Sequence, residues 1–290
     1  MNIPKELEGR LRRVSSRQNA LVKDLRKALT QGEPTADGYV AIEGIRIIDE
    51  AIRSGLRFHA VFFSDAGSAH AVRLLPQLAS HVEVLLLPDE VFTTAVSTES
   101  PQGVAALVKL RPFKFTDLLK EDLLKEDLLE RGSQPLLLGV AGIQDPGNLG
   151  TIIRSAEAFG ARAVLLGEKT ASHFNPKTVR GSAGSVFRQP IVRVKMAETI
   201  PLLKQQGMRV LATSSHKGKP LQEADFTGAA MIVVGNEGAG VPPEILSLAD
   251  ELVNIPHSPR VESLNAGIAA SILLYEAARQ RQRSGDREIG

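Results

Sequence analysis

Three separated segments carry polar residues whose types can do chemistry. In GVAGIQDPGNLGTIIRSAEAFGARAVLLG (Gly139 to Gly167), Asp145, Asn148 and Arg154 stand in and just after a glycine-bearing loop between two apolar runs. In MIVVGNEGAGVPPE (Met231 to Glu244), Glu237 sits in a turn with Gly235, Gly238 and Gly240, residues that permit positive φ and close approach of backbone to a ligand. In VNIPHSPRVESLNAGIAASILLYEA (Val253 to Ala277), Ser263 and Asn265 stand at the start of a long helical pattern, where such residues ordinarily cap. Taken singly each has a plain structural reading: a mid-chain Arg is most often a surface ion-pair partner and a glycine turn is common. None of the loops is a nucleotide fingerprint. Gly147-Asn148-Leu149-Gly150 is not G-x-G-x-x-G, no acid ends the following strand, and GEKT at Gly167 to Thr170 lacks the adjacent Gly-Lys of a phosphate loop. A dehydrogenase, kinase or ATPase is therefore disfavoured.

Composition excludes other chemistries. The chain has 290 residues, enough for two domains, and no cysteine, which removes disulfides, thiolate zinc sites and thiol nucleophiles. The six histidines are scattered without ligand spacing, so no metal is expected. A charged N-terminus without an apolar core, no run of membrane-span length and no cysteine point to a soluble, cytoplasmic protein. Net charge is only +2, but Arg10, Arg12, Arg13, Arg17, Lys23, Arg26 and Lys27 crowd the first thirty residues against Glu6, Glu8 and Asp24. That is a candidate phosphate-backbone surface. An ordinary solvated helix face reads equally well from these residues alone.

The elements that must position these groups follow from periodicity. Asn19 to Leu29 reads as a helix, GYVAIEG (Gly38 to Gly44) as a strand, Ile45 to Ser54 as a helix, and FHAVFFS, VEVLLLP and Gly103 to Leu110 as further strands. This is a small α/β domain, residues 1–112. A charged linker, 113–134, carries the repeat DLLKEDLLKEDLLE. From Pro135, strands at Leu136 to Ala141, Ala163 to Leu166, Arg209 to Thr213, Met231 to Gly235 and Leu252 to Ile255 alternate with helices, the last from Glu262 to about Gln280. Such alternation predicts a mostly parallel sheet covered on both faces in a domain spanning 135–282, before a frayed tail at 283–290.

Together the three segments resemble the motifs of the SpoU/TrmH branch of the SPOUT superfamily of RNA methyltransferases. D-P-x-N-x-G-x-x-x-R-x-A is matched by Asp145, Pro146, Asn148, Gly150, Arg154 and Ala156, and G-N-E-G-x-G by Gly235 to Gly240. The pattern I-P…S-L-N…LLYE is matched by Ile255, Pro256, Ser263, Leu264, Asn265 and Leu273 to Glu276. SRQNALVKDLRKAL, EGIRIIDEAIRSG and STESPQGVAALV resemble that family's N-terminal RNA substrate-binding domain, whose fold is like that of a ribosomal RNA-binding protein.

The resemblance implies a deep trefoil knot in the second domain, an exception to unknotted connections, and S-adenosyl-L-methionine as cofactor. It implies methyl transfer to a ribose 2′-hydroxyl of RNA, with ribosomal RNA favoured over transfer RNA, and a homodimer packed through the long helix. A catalytically weak knotted RNA-binding protein is the alternative. By motif position, Thr213, Gly235, Asn236, Gly238, Ile255, His257 and Leu264 are expected at the cofactor, and Arg154, Asn148, Glu237, Ser263 and Asn265 at the reacting centre. For RNA contact the candidates are Arg12, Arg13, Arg17, Lys23 and, from VRGSAGSVFRQPI, Arg180, Ser182 and Arg188. The chain departs from the family pattern at His257, Pro259 and Ala266-Gly267, and Pro259 has neither the freedom nor the amide donor of glycine.

Overall fold

The computed structural model describes residues 9–118, 134–215 and 217–288. The DLLKE repeat lies outside them. The chain divides into two compact units, one running to Arg111 and including Ser172–Phe187, the other comprising Pro112–Ala171 and the chain from Arg188 on.

In the first unit the elements run β1 (Arg12–Arg13), α1 (Ala20–Gln31), β2 (Val40–Glu43), α2 (Ile45–Arg53), β3 (Arg57–Ser64), α3 (His70–Leu74), β4 (Glu83–Leu87), α4 (Asp89–Ala95) and β5 (Val104–Lys109). The five strands form one mixed sheet in the order β1-β4-β3-β5-β2, with β5 antiparallel to both neighbours. Helix α1 starts where the Asn19 side chain accepts hydrogen bonds from Leu21 N (3.0 Å) and Val22 N (3.4 Å), a side-chain cap on otherwise orphaned donors. Its Val22, Leu25 and Leu29 then fall on one face and pack with Phe62, Leu85, Leu107 and Phe92 into the core.

The second unit contains α5 (Phe115–Leu118), β6 (Leu136–Ala141), α6 (Pro146–Ala158), β7 (Ala163–Leu166), then, beyond the excursion that carries α7 (Pro176–Gly181), β8 (Ile191–Arg193), α8 (Met196–Gln205), β9 (Arg209–Thr213), β10 (Lys219–Pro220), β11 (Ala230–Gly235), α9 (Pro243–Leu246), β12 (Glu251–Asn254) and α10 (Ala266–Glu288). All seven strands pair in parallel, in the order β10-β12-β9-β11-β6-β7-β8. One face buries Leu137, Met231 and Val233 against Met196, Ile200 and Leu203 of α8. The alternating residues Leu138, Val140, Ile232 and Val234 are buried on the opposite face. Burial on both sides explains why these strands read as continuous apolar runs.

Strand β12 enters the sheet between β9 and β10, which are consecutive in the chain. A later segment inserted between two earlier neighbours is the order that a threaded connection calls for. The Asn254 side chain fastens the insertion by donating to the Gly218 carbonyl at 2.7 Å.

Two expectations are corrected. The excursion 172–187 clusters with the first unit, not with the range 135–282; its buried Val179, Val186 and Phe187 carry no periodicity that says which core they join. The last helix begins at Ala266 rather than Glu262, and it continues beyond residue 282 to Glu288 instead of fraying. The backbone ladder runs on past the point where the apolar pattern stops, through Gly285, which apolar periodicity does not register. Arg281 ties this helix back by donating to the carbonyls of Gln134 and Gly228. Burial pulls its pKa down to about 10, with Asp225 opposing.

Candidate active site

The carboxyl ends of β9, β11 and β12 open into one cleft of about 260 Å³, at the small end for ligand sites and in the place where parallel sheets bind ligands. All seven residues expected at the cofactor line it: Thr213, Gly235, Asn236, Gly238, Ile255, His257 and Leu264. Glu237 and Ser263 line it too.

The β11 turn is built by its own sequence. Asn236 Oδ1 accepts from Gly238 N (3.0 Å) and Ala239 N (3.1 Å), and Asn236 and Gly240 exchange backbone hydrogen bonds. The chain folds back so tightly that a Cβ on Gly235 would lie 2.2 Å from Gly240 C and Val241 N. Only glycine fits there, and the result is a floor of bare backbone with Val253, Ile255, Leu264 and Ala269 as apolar walls. Such a cradle suits the flat adenosyl group and short amino-acid arm of S-adenosylmethionine, which need apolar contact and backbone partners more than countercharge. On the far wall, His257 Nδ1 lies 2.7 Å from the Ile255 carbonyl. A carbonyl can only accept, so the ring carries a proton on Nδ1.

At the rim three motif residues from three distant segments meet. Asn148 Nδ2 donates to Glu237 Oε1, and Asn148 Oδ1 accepts from Asn265 Nδ2 at 2.8 Å. Each is fixed locally as well. Asp145 caps α6 by accepting from Asn148 N (2.8 Å), and Asn265 caps α10 by accepting from Ile268 N (3.2 Å). Asn265 is thus both a cap and a member of the network. The second oxygen of Glu237 has no hydrogen bond among the described residues.

Arg154 does not join them. It lies two turns along α6 on an exposed face, and it makes no hydrogen bond or ion pair among the described residues. Beside it α6 packs on α10 through Ser155 Oγ and Ser271 Oγ, 2.7 Å apart. The outward face of α10 exposes Ile268 (53%) and Tyr275 (56%).

The RNA candidates divide. Arg12 pairs with Glu83 at 2.9 Å, Arg13 with Asp65 at 3.0 Å and Arg188 with Glu157 at 2.6 Å. The side chains of Arg17, Lys23 and Arg180 are exposed and make no such pair among the described residues. Ser182 is corrected: it is fully buried and its hydroxyl donates to Val179 O at 2.8 Å, so it serves the turn and meets no RNA. Among cleft residues the motif reading passed over are Ser214 and Ser215, just past β9. The rule that ligands sit at strand carboxyl ends could have found the serines. Among the described residues no three His, Asp or Glu converge as a metal site, and no helix is long and apolar enough to cross a membrane.

Comparison with known proteins agrees with this geometry. Residues 135–275 match the model of the SpoU rRNA Methylase family, and residues 19–106 match the MRM3-like substrate binding domain. The chain is 34% identical to the 23S rRNA (guanosine(2553)-2′-O)-methyltransferase RlmP of Bacillus subtilis over 91% of its own length and 98% of that protein. It is 31% identical to the 23S rRNA (uridine(2479)-2′-O)-methyltransferase of Streptomyces viridochromogenes, over 93% of each. Among solved structures it resembles the AdoMet-bound rRNA methyltransferase from Sinorhizobium meliloti, with a TM-score of 0.78 at 28% identity over 93% of this chain and 98% of that one. Site, fold and sequence agree: the chain belongs to the SpoU rRNA methylase family.

Proposed function

We propose that this protein transfers the methyl group of S-adenosylmethionine to a ribose 2′-hydroxyl of ribosomal RNA. The observation that carries the reading is the rim network of Asn148, Glu237 and Asn265, which brings three motifs together over a backbone-floored cleft. When bound, the cofactor supplies an electrophilic methyl on a sulfonium, already a good leaving group.

What remains for the protein is alignment and charge. Gly235 and the turn that follows it, with Ile255 and Leu264, hold the cofactor against backbone. Asn148 is clamped by a carboxylate on one side and an amide on the other, so its carboxamide cannot rotate. Glu237 offers its remaining oxygen, and Asn148 and Asn265 their spare N–H groups, to the ribose hydroxyls. Arg154 is permanently protonated, so it serves by gripping the ribose phosphate and stabilising the 2′-oxyanion rather than as a base.

Since Arg154 stands outside its own chain's rim network, it serves a partner's site in a homodimer packed through α10. Exposed Ile268 and Tyr275 on that helix, together with Phe159 meeting Tyr275 edge-on at 5.8 Å, supply the apolar face such an interface needs. Arg17, Lys23 and Arg180, cations of the first unit with no ion pair among the described residues, carry the RNA backbone. Cytoplasm, where ribosomal RNA is assembled, is the compartment this reading implies.

The test is incubation of the purified chain with methyl-labelled S-adenosylmethionine and ribosomal RNA lacking its own modification, beside Arg154→Ala. Label at one ribose 2′-oxygen, lost in the variant, is expected. A chain that fails to bind the cofactor in calorimetry would overturn the reading.

A further inference from the structure

The first unit holds a cluster that the motifs did not single out. Along β3 and β5 the register shifts between Phe58 and Ala60, leaving His59 as the extra residue of a β-bulge. Bulges re-aim side chains and are features of sheet ends near binding sites. Here the bulged His59 ring stacks on Tyr39, with centroids 4.3 Å apart and planes 7° from parallel. Lys109 Nζ lies 5.0 Å from the Tyr39 centroid, over the ring. Tyr39 is thus contacted both by the half-exposed His59 ring and by the Lys109 ammonium.

The platform is built, not incidental. Tyr39 is held by a tight turn: its N donates to Thr35 Oγ1 (3.0 Å), its carbonyl accepts from Thr35 N (2.8 Å), and Gly38 N donates to Thr35 O (2.8 Å). Gly38 has φ +73°, and a Cβ there would come 2.8 Å from Lys109 Nζ, so glycine makes room for the ammonium. Lys109 is steered by donating to the backbone carbonyl of Asp37, not to its carboxylate. Arg57 is Lys109's partner in the β3–β5 register. It is exposed and makes no ion pair among the described residues. Contrast Arg12 and Arg13 of the same sheet, each neutralised by an acid. In a chain with no Trp and two Tyr, a half-exposed stacked pair flanked by un-neutralised cations is an unusual use of an aromatic ring.

We propose that Tyr39, His59 and Lys109 form a stacking platform for a single unpaired RNA base, with Lys109 and Arg57 meeting the adjoining phosphates. The inference rests on the RNA-methylating reading and deepens it. An unstacked base offers a π-face to an aromatic ring, and cationic side chains track the backbone on either side. The turn and the bulge set both rings in place beforehand, so little ordering entropy is lost on binding.

The test uses the full chain, ribosomal RNA fragments and a short unstructured RNA, with Tyr39→Ala, His59→Ala, Tyr39→Phe and Lys109→Gln. Expected for Tyr39→Ala and His59→Ala is an RNA Kd about tenfold weaker, with S-adenosylmethionine Kd unmoved; Tyr39→Phe keeps the ring and stays within about twofold. Lys109→Gln reduces the salt dependence of RNA binding by about one phosphate contact. A second readout is independent of fold loss: in a Tyr275→Phe background Tyr39 is the lone tyrosine, and its fluorescence should be quenched by the unstructured RNA. A wild-type chain that methylates RNA while His59→Ala binds it equally well and Tyr39 emission is unchanged overturns the platform alone. A wild-type chain that binds cofactor but no RNA overturns the reading and the platform together.

Discussion

Helix α6 presents two different situations a few residues apart. At its start, Asn148 is locked between Glu237 and Asn265, its hydrogen-bonding capacity largely met by its own chain. Farther along, Arg154 stands exposed without a partner among the described residues. Both belong to one motif, and in sequence they carry equal weight. The difference separates residues that build a site from residues that wait for something to arrive. The first unit repeats it: Arg12 and Arg13 are neutralised by Glu83 and Asp65, whereas Arg17 and Lys23 are open.

That contrast can be broken by experiment. The largest effect is expected from Arg154→Ala, whose loss should lower kcat by about 10²–10³-fold, the range for removing one donor to an oxyanion. Since no described residue leans on it, the melting temperature and the cofactor Kd should not move; a lowered melting temperature would place Arg154 among the builders. Gly235→Ala comes next. Its methyl would sit 2.2 Å from the folded-back backbone at Gly240 and Val241, so calorimetry should show a loss of about 1–3 kcal/mol in stability and a matching fall in cofactor affinity.

Asn148→Ala should behave unlike Arg154→Ala. Removing it strands the Glu237 carboxylate and the Asn265 amide, so thermal stability falls by about 1–2 kcal/mol alongside activity. Should stability hold while activity alone falls, the network would be functional rather than structural as well.

Ile268→Lys tests what α10 waits for. It leaves the core untouched, because Ile268 is 53% exposed, and should turn the proposed dimer into a monomer in sedimentation velocity, with activity lost if Arg154 serves the partner's site as proposed. The smallest effects concern the cations. Arg17→Ala and Lys23→Ala should each reduce the salt slope of RNA binding by about 0.7–0.9. Arg12→Ala should change it less, because its charge is already engaged by Glu83 at 2.9 Å.

How much of this was legible beforehand depends on the range of the interaction. Strands β6, β7 and β9 appear at the residues their apolar runs predict, since a strand buried on both faces leaves a continuous signature. The two-residue strands β1 and β10 were invisible, being too short to show any period. The cleft-lining residues were legible through the resemblance of their motifs to those of a known family, and they do line the cleft. Ser182 misled because a serine beside two arginines reads as polar surface, whereas its hydroxyl is spent on the Val179 carbonyl inside the turn.

By itself, then, the sequence determined the α/β class, the two-part organisation and the set of residues that meet at the cleft. The first two follow from local periodicity and composition, and the third from the resemblance of three short motifs to those of a known family. Only the tertiary structure decided that β12 enters between β9 and β10, that the excursion 172–187 belongs with the first unit, and which cations are free. Those outcomes depend on partners remote in the chain: Glu83 for Arg12, Glu157 for Arg188, Glu237 for Asn148. A charge or an amide is open or satisfied only when its neighbours in space are known, and spacing along the chain does not contain that information.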